Sequence, residues 1–185
     1  MDYSQIIHQI KKGNQSAFRL LVEQYQAYAF KLAFRIVCNE EDAKDVVQES
    51  FIKIWRNIHN YRPSVKFTTW MYKIVTNSAI DLYRENARQS SVSLNESINI
   101  VSESQHDSTN KNQNNKELSI LIRKMADGLP EKQRLIFVLR DLQEMDSHEV
   151  QEILEISETT VKSNLYHARK SIKEKIRTLL AYERR

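Results

Sequence analysis

Apolar residues return every three or four positions along most of this chain, the spacing of amphipathic helices. Phe18, Leu21, Val22, Tyr25, Ala29, Leu32 and Ile36 form one such stripe and predict a single long helix. A shorter helix from Ser4 to Lys12 is expected before it, stopped by Gly13, with Asn14 as the next N-cap. Asn39 is the expected cap of a third helix reaching about Trp55, with Ala43, Val46, Val47, Phe51, Ile54 and Trp55 as its apolar positions. Tyr61-Arg62-Pro63-Ser64 interrupts the pattern. A fourth helix follows from about Phe67 to Arg88, expected to bury Phe67, Trp70, Met71, Ile74, Ile80 and Leu82.

The periodicity then lapses. Of the 28 residues from Arg88 to Asn115, 16 are Ser, Asn or Gln, too polar to offset their ordering entropy by burial. A flexible linker is expected here, with a small apolar patch (Val92, Leu94, Ile98, Ile100, Val101) suited to local docking. Helical spacing resumes near Lys116. Gly128 closes a helix, Pro130 suits a first helical position, and Leu135, Ile136 and Leu139 form the next stripe. After Met145-Asp146 come a short helix, Ser147 to Leu154, a tight turn, and a long basic helix from Ser157 to about Leu180. That succession has the shape of a helix-turn-helix. The expected fold is all-α: two small helical domains, residues 1–87 and 116–185, joined by a flexible linker over 88–115, the second domain containing the helix-turn-helix.

Composition supports this by exclusion. Two glycines and two prolines in 185 residues, against about 13 and 9 at average usage, supply too few turn residues for a sandwich or barrel. No apolar run approaches the roughly 18 residues of a membrane span, and Met1-Asp2-Tyr3-Ser4-Gln5 resembles neither a signal nor a transit peptide. The single cysteine, Cys38, can form no internal disulfide, which fits a cytoplasmic protein; at a helix end it reads as a core or boundary residue. An enzyme finds little to stand on. His8, His59, His106, His148 and His167 are scattered without an HExxH pair, and there is no P-loop or nucleophile elbow. No catalytic residue, cofactor, metal or small-molecule substrate is expected.

The net charge of +4 is a mild bias towards polyanions, and its distribution says more. Residues 1–88 carry 13 basic and 9 acidic side chains, 116–185 carry 14 and 12, and the stretch between carries 1 and 3. Two surfaces suit nucleic acid. On the last helix, Val161 and Leu165 can pack on Val150, Leu154 and Ile156, leaving Thr159, Lys162, Ser163, Tyr166 and His167 outward, with Arg169, Lys170 and Lys173 following. Such side chains on a helix can reach phosphates and base edges in the major groove. On the fourth helix, Thr69, Lys73, Thr76, Asn77 and Arg84 lie opposite the apolar stripe, with Arg62 and Lys66 upstream and Tyr61, Trp70 and Tyr72 among them. Cations interleaved with aromatics suit an opened strand, whose bases can stack on rings.

Four motifs, in order, resemble those of bacterial RNA polymerase sigma factors of the extracytoplasmic-function (ECF) subfamily. Asp42-Ala43-Lys44-Asp45-Val46-Val47-Gln48-Glu49-Ser50-Phe51 is similar to the family's polymerase-binding helix. Lys66-Phe67-Thr68-Thr69-Trp70-Met71-Tyr72-Lys73-Ile74 resembles its promoter-melting segment. Leu129-Pro130-Glu131-Lys132-Gln133-Arg134 and Thr160-Val161-Lys162-Ser163-Asn164-Leu165 resemble motifs of its second DNA-binding domain. The resemblance implies that Asp45, Gln48 and Glu49 bind core RNA polymerase. It implies that Lys66, Thr69, Lys73, Asn77 and Arg84 meet the opened −10 strand, where a base is flipped at a cost of a few kcal/mol. Thr159, Lys162, Ser163, Tyr166, His167 and Arg169 would then read the duplex −35 element. An anti-sigma factor is a further partner the resemblance implies.

Two positions depart from the family's pattern. Ala is usual at position 151 and Gly at 155; this chain has Gln151 and Glu155. A non-glycine residue in a left-handed turn costs about 1 kcal/mol, which favours a reshaped turn and a shifted recognition helix. The rival reading from another class is a stand-alone helix-turn-helix regulator that binds duplex DNA without polymerase.

Overall fold

The computed structural model describes residues 3–93 and 128–183, with side chains over 4–89 and 128–178. The helix expected ahead of Gly128 lies outside the described residues, as does the apolar patch of the joint beyond Val92; residues 88–93, expected in the linker, are helical. Helix α1, Tyr3–Lys11, ends where Gly13 takes a positive φ of 84°. Helix α2, Gln15–Val37, starts on Asn14, whose Oδ1 accepts from the Ala17 N–H at 3.1 Å. It stops at Cys38, left-handed at φ 56°, whose N–H returns to the Phe34 carbonyl. Helix α3, Glu40–Asn57, is capped by Asn39, which accepts from both Glu41 and Asp42 N–H groups. Its first-turn acids, Glu40, Glu41 and Asp42, complement the positive end of the helix dipole. A 3-10 turn, Ile58–Asn60, and the Pro63 loop lead into α4, Phe67–Ser93.

In the second half, Pro130 is the N-cap of α5, Glu131–Phe137, one position earlier than expected. Helix α5 continues into a π-helical turn, Val138–Leu142, closed by the Gln143 N–H on the Val138 carbonyl at 2.9 Å. Helix α6, Ser147–Leu154, and helix α7, Glu158–Glu183, form the helix-turn-helix. No strand occurs among the described residues.

Helices α2, α3 and α4 pack on one another, with α1 laid on α2, while α5 and α6 both pack on α7. The two bundles also touch: α6 lies against α4, and the π-helical turn lies against α2. The buried apolar residues form one connected core from Ile7 to Leu165. This explains a departure from the expected stripe of α4. Val75, Thr76 and Ala79 are fully buried while Ile74 is only half-buried, because α4 is packed from both bundles rather than along one face.

Candidate nucleic-acid and protein interfaces

Helix α3 presents Asp45, Gln48 and Glu49, all exposed, at spacings that spread them over two edges. Asp45 and Glu49 border a cleft towards α4 that also holds Lys53, Ser78 and Asp81. Lys53 Nζ ties that edge together, 3.4 Å from Glu49 and 3.0 Å from Ser78 Oγ. Gln48 stands at the rim of a different feature, an apolar groove of about 940 Å³ between α2 and α3. Phe18, Val22, Phe30, Val47, Phe51, Ile52 and Trp55 line it, and Ile52 is 43% exposed. Phe18 and Trp55 meet there with ring centroids 4.9 Å apart. Sequence reasoning assigned Phe18, Val22, Val47, Phe51 and Trp55 to the core. The signal it passed over is Ile52, which widens the stripe of α3 beyond what a single buried seam needs.

The Pro63 loop sits on an aromatic cluster. The Tyr61 and Phe67 rings meet edge to face at 5.5 Å, and Trp70 is 5.5 Å from Tyr61. Tyr61 is buried, with its hydroxyl donating to the Val65 carbonyl, so it anchors the loop rather than decorating it. Lys11 of α1 donates to the Tyr61 carbonyl at 2.8 Å. Beside this cluster is a cleft of about 500 Å³ lined by Tyr25, Tyr61, Pro63, Phe67 and the cations Lys11 and Lys66.

The residues expected at the −10 element divide. Lys66, Asn77 and Arg84 are exposed and Lys73 is half-buried, all on α4 or just before it. Thr69 is not outward: it is 2% exposed, and its Oγ1 has no hydrogen-bond partner among the described residues. Thr76 is buried in the same way. With three helices packed on α4, only a narrow strip of it remains in solvent. Three cations there are already engaged. Lys66 Nζ is 3.4 Å from Glu149, Lys73 Nζ is 2.5 Å from Glu155, and Arg84 makes a bidentate pair with Glu131 at 2.7 and 3.1 Å. The hydrogen bond from Lys73 holds the Glu155 carboxyl below the usual carboxylate range, and Arg84 does the same to Glu131.

On α7, Thr159, Lys162, Ser163, Tyr166 and His167 are all exposed, over a buried seam of Val161, Leu165, Ala168 and Ile172. Tyr166 is 65% exposed and meets His167 edge to face at 5.4 Å. Lys162 Nζ pairs with Glu158 at 2.7 Å, one turn back. Arg169 is drawn aside: its Nη2 and Nε donate to the Asp141 carboxylate of the π-helical turn, at 2.6 and 2.8 Å, which raises the guanidinium pKa. The turn before α7 keeps its left-handed form despite lacking glycine. Glu155 takes φ 55° and ψ 46°, and its N–H returns to the Gln151 carbonyl. The expected reshaping does not occur. Gln151 is half-buried, and its Nε2 donates to the Ser147 carbonyl of its own helix at 3.1 Å.

The chain matches Sigma-70 region 2 over residues 21–89 and Sigma-70, region 4 over residues 119–172. It is 32% identical over 179 residues to the ECF RNA polymerase sigma factor SigW of Bacillus subtilis, covering 94% of this chain and 96% of that one. The chain belongs to the ECF RNA polymerase sigma factors. Solved structures share the fold of this sigma factor. CnrH in complex with the cytosolic domain of CnrY superposes with a TM-score of 0.69 at 22% identity, covering 94% of this chain and 96% of that one. The sigma factor RpoE in complex with the anti-sigma factor NepR from Bartonella quintana gives 0.65 at 18%, covering 86% and 96%.

Within this sigma factor, the region 2 match holds α3, α4 and most of α2, and the region 4 match holds α5, α6 and the first half of α7. Sequence reasoning did not foresee the acids Glu131, Glu149 and Glu155 as partners of α4, since surface charges reveal their own helix but not what faces it. No helix among the described residues is long and apolar enough to cross a membrane.

Proposed function

We propose that this sigma factor brings core RNA polymerase to specific promoters, holding the opened −10 strand on its first domain (residues 1–87) and the duplex −35 element on its second (116–185). Membership of the ECF family over nearly the whole chain is the observation that carries this reading. On the polymerase side, Asp45, Gln48 and Glu49 supply an acidic, amide-bearing patch on an otherwise mildly basic protein. The apolar groove beside Gln48 adds what charges alone lack: desolvated area for a partner's side chains.

On the DNA side, Lys66, Lys73 and Arg84 are the phosphate contacts and Asn77, with both donor and acceptor, is the base reader. The cleft at the Pro63 loop suits an unstacked base, with Tyr25, Tyr61 and Phe67 as its aromatic wall and Lys11 and Lys66 at its edge. Thr69 supports the helix from within. On α7, Thr159, Lys162, Ser163, Tyr166 and His167 form the major-groove face, while Arg169 serves mainly as the brace that holds α7 on the π-helical turn. The reading is of a cytoplasmic protein without catalytic activity of its own. The RpoE complex with NepR supports an anti-sigma factor as a further partner.

Run-off transcription with purified core polymerase on a promoter library tests the reading. The wild-type chain should initiate at specific sites, and Gln48→Ala or Asp45→Ala should weaken its affinity for core enzyme without unfolding it. Asn77→Ala should alter −10 preference and Lys162→Ala −35 binding. A duplex footprint without polymerase, and no initiation with it, would instead identify a stand-alone regulator.

A further inference from the structure

Helix α1 precedes the region 2 match, which begins at residue 21, yet it supplies part of the cleft at the Pro63 loop. Its Ile7 and Ile10 are buried and hold it down on α2, and the left-handed Gly13 lets the chain turn from one helix into the other. Ser4, His8 and Lys11 follow at intervals of four and three residues, so they share a face of α1, and all three line the cleft. Lys11 is fixed there. It is half-buried, its Nζ donates to the Tyr61 carbonyl at 2.8 Å, and the same ammonium is 5.8 Å from the Tyr61 ring centroid. An ammonium has three N–H donors, so the Tyr61 carbonyl leaves two for a ligand. They stand beside Tyr25, Tyr61 and Phe67, the rings on which an unstacked base would lie. Among the described residues, no carboxylate and no side-chain amide lines the cleft.

Resting on the reading of this cleft as the seat of an unstacked base, we propose that α1 is its base-selecting wall. Lys11 donates to the carbonyl oxygen of a keto base, thymine or guanine. Stacking on rings is tolerant of sequence, because every base has a π face. Discrimination has to come from the edge of the base, and Lys11 is the cation already held beside the rings. Thymine O4 and guanine O6 are acceptors, whereas cytosine and adenine carry an amino group at the same place. An amino group there sets donor against donor. It finds no carboxylate to receive it and loses its water without replacement. Size does not decide, since a cleft of about 500 Å³ admits a purine or a pyrimidine. Lys66, more exposed than Lys11, keeps the role of a phosphate contact. Base selection at the loop thus depends on a helix that lies outside all four sequence motifs.

Holoenzyme carries the test: core polymerase with the full chain as wild type, Lys11→Met or Lys11→Arg. The probe is a promoter that the wild-type chain uses, opened in advance by mismatches across the −10 element. Each strand is randomised there in turn, a second set carries an abasic site at each position, and run-off transcripts are counted by template. In wild type, one position should favour thymine or guanine over cytosine or adenine by about tenfold. An abasic site at that position should lower initiation more than one at its neighbours. Lys11→Met should reduce the preference to about twofold there and leave the other positions as in wild type, whereas Lys11→Arg, which keeps the donors, should retain it. A profile that Lys11→Met leaves unchanged, whether or not total initiation falls, would make Lys11 a brace of the loop; the selection by α1 is then overturned and the base cleft stands. A Lys11-dependent preference for cytosine or adenine overturns it equally. If no abasic site lowers initiation, the cleft holds no base, and that reading falls along with the role of α1.

Discussion

Asp146 closes the start of α6 with a reciprocal pair: its Oδ1 accepts from the Glu149 N–H at 2.8 Å, and Glu149 Oε2 accepts from the Asp146 N–H at 3.2 Å. The Glu149 N–H holds the Asp146 carboxyl below its ordinary pKa. A depressed folded pKa means a contribution that is complete above the unfolded value, near pH 4, and lost as pH falls through the lower folded value. Asp146→Ala should therefore cost about 1 kcal/mol in urea unfolding at pH 7, and the gap from wild type should shrink on acidification below about pH 4. A gap that stayed constant to pH 2 would mean that the carboxylate does not act as the cap. The Asp146-x-x-Glu149 spacing marks such a box in the sequence, just as Gly13, Asn14 and Asn39 mark their helix ends. Each of these is a local rule, satisfied within four residues. Glu155 is the exception, because what makes its left-handed backbone worth keeping is Lys73, 82 positions away.

Helix α3 has two working edges, and they differ in kind. Asp45 and Glu49 lie in a charged cleft, whereas Gln48 and Ile52 frame the apolar groove against α2. A large aliphatic side chain left 43% exposed beside Phe51 and Trp55 contributes little to folding and much to a partner that covers it. Ile52→Ser should thus leave the thermal midpoint within a few degrees of wild type and weaken core-polymerase affinity about fivefold or more, by titration of labelled chain with core enzyme. An unchanged affinity would confine the polymerase interface to the charged edge. Periodicity located α3 correctly but treated its whole apolar width as core. A sequence pattern measures how much of a helix avoids water, not whether this chain or another one supplies the cover. The opposite error occurred on α4, where Thr69 and Thr76 were expected outward and are buried. Their polarity suggested solvent, but α4 is packed from both bundles and leaves polar side chains inside.

Between the bundles, two arginines do what no short motif announces. Arg35 of α2 donates to the Leu142 carbonyl in the π-helical turn, and partial burial pushes its guanidinium pKa down, opposed by Glu144. Arg134 of α5 lies over the Tyr83 ring of α4, 3.5 Å from its centroid, and is only 9% exposed. Its Nε has no hydrogen-bond partner among the described residues, so the ring face is its principal compensation for lost water. The two halves are thereby coupled through a buried cation as well as through apolar contact. Tyr83→Ala should leave that cation without the ring and cost about 1–2 kcal/mol of coupling between the bundles. In calorimetry, wild type should melt as one transition, because its core is continuous, and Tyr83→Ala should separate the melting of the bundles. Tyr83→Phe keeps the ring face and should behave as wild type. If Phe and Ala were equally damaging, the hydroxyl and not the ring would be the coupling group. If neither changed the transition, the Arg134–Tyr83 contact would contribute nothing to holding the bundles together, and the apolar seam under Ile80 and Ile153 would carry the coupling alone.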